Sequence, residues 1–104
     1  MRDLRRKESE IQKAIVNALA WTGWVVIHIP NQSTQGRQRW AGLLPGAPDL
    51  IAVRRGRVVF LEVKTDRGQL RPAQKAAHAI LTGQGMEVRV VRGIEDIEDL
   101  LSDF

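Results

Sequence analysis

Residues 49–64, DLIAVRRGRVVFLEVK, decide the fold of this protein. They contain two apolar runs, residues 49–54 and 57–64, separated by the pair Arg55-Gly56. Apolar runs of this length on either side of a glycine-containing turn are typical of two antiparallel strands. If the turn has two residues, it fixes which residues of the two strands face each other. The stretch therefore predicts a β-hairpin of known register.

The predicted register places two acidic residues opposite each other at the open end of the hairpin. Asp49 faces Glu62, and directly opposed side chains share one face of a sheet with Cβ atoms ~4.5–5.5 Å apart. Lys64 follows Glu62 by two residues, so it lies on the same face. Two opposed carboxylates repel each other unless a cation compensates them, and Mg²⁺ binds one or two carboxylates while keeping several waters. We therefore interpret Asp49, Glu62 and Lys64 as a candidate metal site. The simpler alternative is a turn aspartate beside an exposed ion pair.

The rest of the chain predicts helices on both sides of the hairpin. The second hairpin strand is apolar on both faces, which is typical of a sheet covered by helices on both sides. Proline and glycine positions and apolar periodicity divide the remaining sequence into elements. These are a helix over 3–22, a strand over 24–29, a long loop over 31–45, a helix that begins near Pro72 and ends at Gly83, a strand over 86–91 and a short acidic helix over 94–101. The predicted fold class is α/β, in the order αβββαβα and with a mixed four-stranded sheet.

The charge is unevenly distributed. All 16 Lys and Arg residues lie in residues 1–92, whereas residues 93–104 contain five acidic residues and no basic one. Twelve of the basic residues are Arg, whose planar guanidinium suits phosphate. A basic body of this kind is typical of nucleic-acid-binding proteins. The alternative is a soluble basic domain without a nucleic-acid partner.

Several classes of protein are disfavoured by composition. The chain has no cysteine, which excludes disulfides and thiolate metal sites, and its two histidines, His28 and His78, are far apart in sequence. No apolar run reaches the ~20 residues of a membrane span, and the charged start lacks the apolar segment of a signal peptide. We expect one domain over residues 1–104, cytoplasmic and without membrane contact. The apolar stripe of the helix that begins near Pro72 is expected to face the sheet and contains Ala73, Ala76, Ala77, Ile80 and Leu81. His78 lies off this stripe, so we expect it to be exposed.

The motifs resemble those of a known family. Pro48-Asp49 followed by Glu62-Val63-Lys64 is the PD-(D/E)xK pattern of the restriction-endonuclease-like superfamily. Further segments look like the VRR-NUC (virus-type replication-repair nuclease) domain, and the resemblance covers about residues 8–92. They are Gly42-Leu43, Gly46-Ala47-Pro48-Asp49-Leu50-Ile51, Phe60-Leu61, Leu70-Arg71-Pro72-Ala73-Gln74, Gly85, and a leading helix with Glu10 before a strand that ends in Pro30-Asn31.

The resemblance implies a restriction-endonuclease-like core and a divalent-metal-dependent nuclease that uses Mg²⁺ or Mn²⁺. It implies that Asp49 and Glu62 are metal ligands, with Glu10 completing the site and the Val63 carbonyl as a further ligand. Lys64 is similar to the family's catalytic lysine, which positions or activates water. Gln74 corresponds to a glutamine expected to contact Lys64 or that water. Alternatively, Gln74 is an ordinary polar residue in the first turn of its helix, and Glu10 is a surface residue.

Small members of this family resemble homodimeric enzymes that cut four-way DNA junctions. A two-fold dimer supplies the two symmetric cuts that such a junction needs. We expect recognition of DNA shape and backbone, because no base-reading element is evident. Expected DNA contacts are Arg37, Arg39, Arg67, Arg71 and Lys75. Candidate dimer-interface residues are Trp21, Trp24, Trp40, Leu43 and Leu44, with core burial of Trp24 as the favoured alternative. Two other hypotheses are a non-catalytic nucleic-acid-binding module of the same fold and a small sequence-specific nuclease.

Overall fold

A computed structural model describes residues 7–30 and 44–102 of the protein. Most of the predicted loop, including Arg37, Arg39, Trp40 and Leu43, lies outside the described residues. Within them, the element order agrees with the prediction. The elements are α1 (Glu8–Trp21), β1 (Val25–His28), β2 (Leu50–Arg54), β3 (Arg57–Val63), α2 (Pro72–Gly83), β4 (Glu87–Val91), a 3₁₀ turn (Ile94–Ile97) and α3 (Glu98–Leu101).

The four strands form one mixed sheet in the order β1-β2-β3-β4. The first two pairings are antiparallel, whereas β3 and β4 are parallel and are connected through α2. A parallel pair needs a long crossover, and a helix that follows one strand and precedes the next provides it. The α/β class and the mixed four-stranded sheet with flanking helices are therefore confirmed.

The hairpin has the predicted register. Arg54 pairs with Arg57, Ile51 with Phe60 and Leu50 with Leu61. The two turn residues, Arg55 and Gly56, both have positive φ, at 50° and 83°. Positive φ at both central positions defines the tight turn that matches the twist of a hairpin, although it is unfavourable for a side chain such as that of arginine. The register needed to oppose Asp49 and Glu62 is thus set within the hairpin itself.

The main core lies between the sheet and α1. Ile11, Ile15 and Leu19 recur every four residues along one side of α1 and are at most 2% exposed. They pack in one cluster with the inward residues of the sheet, such as Val59 and Leu61. The opposite face of the sheet carries α2 and the functional side chains. The sheet is therefore a rigid support with its apolar layer on one side and its polar site on the other.

The acidic C-terminal segment folds against the body of the protein. Ile97 and Leu100 are at most 1% exposed and belong to the main core cluster. The indole Nε1 of Trp24 donates a hydrogen bond of 3.0 Å to the Leu100 carbonyl, and Trp24 is 5% exposed. Arg89 on β4 also binds Asp99 through two hydrogen bonds of 2.7 Å. Trp24 is therefore a core residue, as favoured from the sequence.

The buried side of α2 differs from the predicted apolar stripe. Ala73, Ala76 and Ile80 were expected to face the sheet but are exposed. The helix instead buries Gln74 and Ala77. The helix is therefore rotated about its axis relative to the predicted orientation, so that Gln74 faces a polar site at the end of the sheet. Apolar periodicity alone does not reveal this rotation.

Candidate active site

Asp49 and Glu62 meet at the end of the β2–β3 hairpin. Asp49 directly precedes β2, and its Oδ2 accepts a hydrogen bond of 2.8 Å from the backbone amide of Val63. Glu62 lies on the neighbouring strand and is 1% exposed. The tertiary structure therefore brings together the two acids whose pairing the hairpin register predicted.

The environment of Glu62 strongly favours its protonated form. Burial, followed by repulsion and hydrogen bonding from Asp49, raises the pKa of Glu62 from an ordinary 4.5 to about 8. The positive charge of Lys64 opposes this shift only in part. A buried carboxylate next to a second one is unfavourable without a compensating charge. The pair is thus arranged to gain stability from a cation.

Lys64 stands at the same end of the sheet. It directly follows β3, is 8% exposed, and lines one pocket together with Asp49 and Glu62. Its backbone amide donates a 3.0 Å hydrogen bond to the carbonyl of Val91, which extends the parallel β3–β4 ladder. The strand ladder therefore fixes the backbone of Lys64 at the pocket, and the positive charge of its side chain acts on Glu62.

Helix α2 contributes Gln74, although the contact differs from the predicted one. The Gln74 amide nitrogen donates a hydrogen bond of 3.3 Å to Oε2 of Glu62. Its carbonyl oxygen accepts one of 2.8 Å from the backbone amide of Arg71 at the helix start. Gln74 thus contacts Glu62 rather than Lys64, because the orientation of the amide is set by its bond to Arg71. A contact between Gln74 and the attacking water stays a prediction.

His78 belongs to this site, and sequence reasoning missed it. Its Nε2 lies 3.1 Å from Oε1 of Glu62, and its side chain is only 13% exposed. Burial and the nearby Lys64 lower the pKa of His78, so its ring is neutral at neutral pH. The expectation of an exposed His78 is wrong, because α2 turns its polar side inward. The four-residue spacing from Gln74 was the signal that could have revealed it.

The acid that α1 places beside the pocket is Glu8, whereas Glu10 was predicted. Glu10 is exposed, and its Oε1 accepts a hydrogen bond of 3.1 Å from the backbone amide of Lys7. Glu8 lines the pocket with Asp49 and contributes to the raised pKa of Glu62. The placement of Glu10 is therefore corrected: it caps the start of α1, and such a cap turns its carboxylate back along its own helix.

Gly46 allows the segment before Asp49 to pack against the start of α2. It has a φ of 77°, and a Cβ at this position would lie 2.8 Å from the backbone nitrogen of Gln74 and would overlap the carbonyl of Ala73. Only a residue without a side chain fits such an approach. Gly46 thus couples the backbone that delivers Asp49 to the helix that delivers Gln74.

Arg92 organises the connection that follows Lys64. Its Nη1 donates hydrogen bonds of 2.6 and 2.8 Å to the carbonyls of Thr65 and Gly68. Arg67 lies within this connection and is exposed, as are Arg71 and Lys75 at the beginning of α2. Arg71 also lines the pocket. Three of the five predicted DNA contacts are thus exposed, and one of them lines the pocket of the two acids, while Arg37 and Arg39 fall outside the described residues.

The donor set determines which kind of metal could fit. In the described parts of the chain, no cluster of three or more His, Cys, Asp or Glu side chains is close enough to hold an ion. Two carboxylates with water completing the shell are nevertheless sufficient for Mg²⁺, which prefers oxygen and keeps several waters. A structural zinc site would require four protein ligands of nitrogen or sulfur type. The residues present therefore fit a hard divalent cation.

These features define an α/β protein with a nuclease-type fold. The chain belongs to the VRR-NUC family, since the model of the VRR-NUC domain matches residues 6–95. A solved structure described as a VRR_NUC domain is 27% identical, with a TM-score of 0.68, and the match covers 93% of this chain and 96% of that one. A second, described as a VRR_NUC domain protein, is 23% identical, with a TM-score of 0.65 and coverage of 100% and 90%. No match was found among the curated proteins.

Among the described residues, no helix has the length and apolar character needed to cross a membrane.

Proposed function

We propose that this protein is a divalent-metal-dependent, structure-selective DNA endonuclease that hydrolyses phosphodiester bonds at branched DNA. The observation that carries the proposal is the buried Glu62 carboxyl beside Asp49, with Lys64 lining the same pocket. A buried acid that faces a second acid destabilises a protein that has no use for a cation. The membership of the VRR-NUC family supports nuclease chemistry and DNA as the partner.

In this proposal, Asp49 and Glu62 are the protein ligands of one Mg²⁺ or Mn²⁺. The bound ion would act as a Lewis acid toward the phosphate and lower the pKa of a coordinated water. Asp49 is oriented by the Val63 amide, and Glu62 by α2. The Val63 carbonyl stays a proposed further ligand. Glu8, rather than Glu10, is the acid that α1 contributes to the site in this proposal.

Lys64 would act on the scissile phosphate and the attacking water. A lysine ammonium carries three donors, so it can hold a water and a phosphate oxygen together. In the hydrolysis, the water oxygen forms a bond to phosphorus while the bond between phosphorus and the leaving oxygen breaks. The water loses a proton, and the leaving oxygen gains one. The ammonium stabilises the negative charge that develops on the phosphate oxygens.

The branched substrate and the homodimer are part of the proposal. The sheet face over β1 and the end of α1 carry exposed apolar side chains: Trp21 is 88% exposed, Val25 63%, and Ile27 47%. Exposed apolar groups close together on a surface are typical of protein–protein contact. We propose that two copies associate through this face, which would pair two sites on one four-way junction.

The test is a cleavage assay on branched and linear DNAs with Mg²⁺ or Mn²⁺, with light scattering to measure mass. We expect cutting of branched DNA by the wild type and loss of cutting in Lys64→Ala and Glu62→Gln. Lys13→Ala removes an exposed positive charge of α1 that does not line the pocket, and this variant should cut normally. If Lys64→Ala and Glu62→Gln cut as fast as the wild type, the proposal is wrong. DNA binding without metal binding by calorimetry would instead indicate a non-catalytic module.

A further inference from the structure

Both oxygens of the Glu62 carboxyl are held by one side of α2. Gln74 donates to Oε2 over 3.3 Å, and His78 Nε2 lies 3.1 Å from Oε1. The two residues are four positions apart, so their side chains project from the same helix face. A carboxyl group that is bound through a single oxygen can still rotate about its last bond. Contacts to both oxygens fix its plane.

The two contacts are not equivalent. The Gln74 carbonyl is occupied by the Arg71 amide, so its NH₂ group must point to Glu62. Gln74 is thus anchored by the start of its own helix. His78 has a rigid ring and lies one turn further along α2, where it closes the other side of the carboxyl group. Removal of His78 would leave Glu62 with a single contact from α2.

We propose that His78 is a positioning residue, which together with Gln74 holds the Glu62 carboxylate in the orientation needed to bind a divalent cation. This inference rests on the proposed function. Each carboxylate oxygen has two lone pairs, so one contact per oxygen leaves acceptor capacity for a cation. A ring N–H that donates to an ionised Glu62 fixes the ligand without adding a charge that would compete with the ion. Partners of this kind commonly change metal affinity or activity by 10–100-fold when they are removed.

The test compares four proteins by calorimetric titration with MnCl₂ and MgCl₂: wild type, His78→Phe, His78→Gln and His28→Phe. Phenylalanine keeps the ring but removes its nitrogens, whereas glutamine restores an N–H donor at similar reach. His28 is exposed on β1 and provides the same substitution away from Glu62. We expect metal binding to weaken by about 10–100-fold in His78→Phe. His78→Gln and His28→Phe should stay close to wild type.

A second readout does not depend on metal or on cleavage. The ¹⁵N resonances of the His78 ring in the metal-free protein should report its hydrogen bond to Glu62 and should change in Glu62→Ala. DNA affinity in EDTA should be unchanged in His78→Phe, because the ring faces the carboxyl group rather than the surface.

The outcomes separate this inference from the proposed function. If the wild type binds metal and cuts DNA but His78→Phe binds metal equally well, only the positioning role is wrong. Equal weakening in His78→Phe and His78→Gln would also overturn it, because the restored donor should rescue binding. A wild type that binds no divalent metal would overturn both proposals.

Discussion

The carboxylate of Asp49 accepts a hydrogen bond of 2.8 Å from the backbone amide of Val63, the neighbour of Glu62 on β3. This bond continues the hairpin beyond its last backbone pair, between Leu50 and Leu61. It fixes the side chain of one acid to the backbone that carries the other. The distance between the two carboxyl groups is therefore set by the backbone geometry of the sheet as well as by the side-chain rotamers of Asp49 and Glu62.

Replacing Asp49 should separate its structural and metal-binding roles. In Asp49→Ala the Val63 amide loses its partner, and an unsatisfied buried donor costs about 1–3 kcal/mol. Asp49→Asn keeps an oxygen acceptor and also removes the repulsion with Glu62. We expect urea denaturation of the metal-free proteins to show a lower free energy of unfolding for Asp49→Ala and no loss for Asp49→Asn. Both variants should bind Mg²⁺ more weakly; equal stability of the two variants would contradict the role of the hydrogen bond.

The stability of the metal-free protein should decrease as the pH rises. Glu62 has a folded pKa of about 8 against an ordinary 4.5, so between these values the folded state holds a proton that the unfolded state releases. The contribution of Glu62 to the free energy of unfolding is therefore fully present below pH 4.5. It decreases as the pH rises from 4.5 to about 8. Since one pKa unit corresponds to about 1.4 kcal/mol, the loss is on the order of a few kcal/mol.

The measurement is the free energy of unfolding in urea across this pH range. Glu62→Gln should remove most of the slope, and Glu95→Gln, an exposed acid near the C-terminus, should leave it unchanged. Added Mg²⁺ should also flatten the slope, because the ion replaces the proton. A wild-type slope that matches that of Glu62→Gln would show that Glu62 does not have the raised pKa.

Gly46→Ala should disturb the site more than an alanine at another glycine with positive φ. At Gly46 the new Cβ would overlap the backbone of Ala73 and Gln74, whereas at Gly85 (φ 87°) it would meet nothing within 4 Å. Overpacking typically costs about 1–3 kcal/mol, in addition to the backbone strain that both variants share. We expect Gly46→Ala to unfold at lower urea concentration and to bind metal more weakly than Gly85→Ala. Similar behaviour of the two would mean that the close approach is unimportant.

Apolar packing, rather than its charges, should hold the acidic C-terminal segment in place. Leu100 is 1% exposed, and truncation of a buried leucine to alanine costs about 2–5 kcal/mol. The Asp99 side chain is 59% exposed although Arg89 lowers its pKa to about 2, and exposed ion pairs contribute ~1 kcal/mol or less. Denaturation should therefore rank Leu100→Ala as much less stable than Asp99→Asn. The reverse order would show that the ion pair dominates.

The hairpin and its two acids were predictable from sequence because their positions depend on local rules. Strand alternation and a two-residue turn place Asp49 opposite Glu62 and Lys64 on the same side, and the register of the structure agrees. The order of helices and strands along the chain, with α2 between β3 and β4, also follows from periodicity, glycine and proline. These features depend on interactions between residues that are close in sequence, or on the pairing of two strands joined by a short turn.

Which helical side chains lie beside the acids depends on packing between distant parts of the chain. Glu8 and Glu10 are two positions apart on α1, and the rotation of the helix against the sheet places Glu8 at the pocket while Glu10 caps the helix. On α2, the same kind of rotation turns Gln74 and His78 toward Glu62 and leaves Ala76 and Ile80 exposed. The sequence determines a strand pair through its turn and alternation, whereas the rotation of a helix depends on all the surfaces that pack against it.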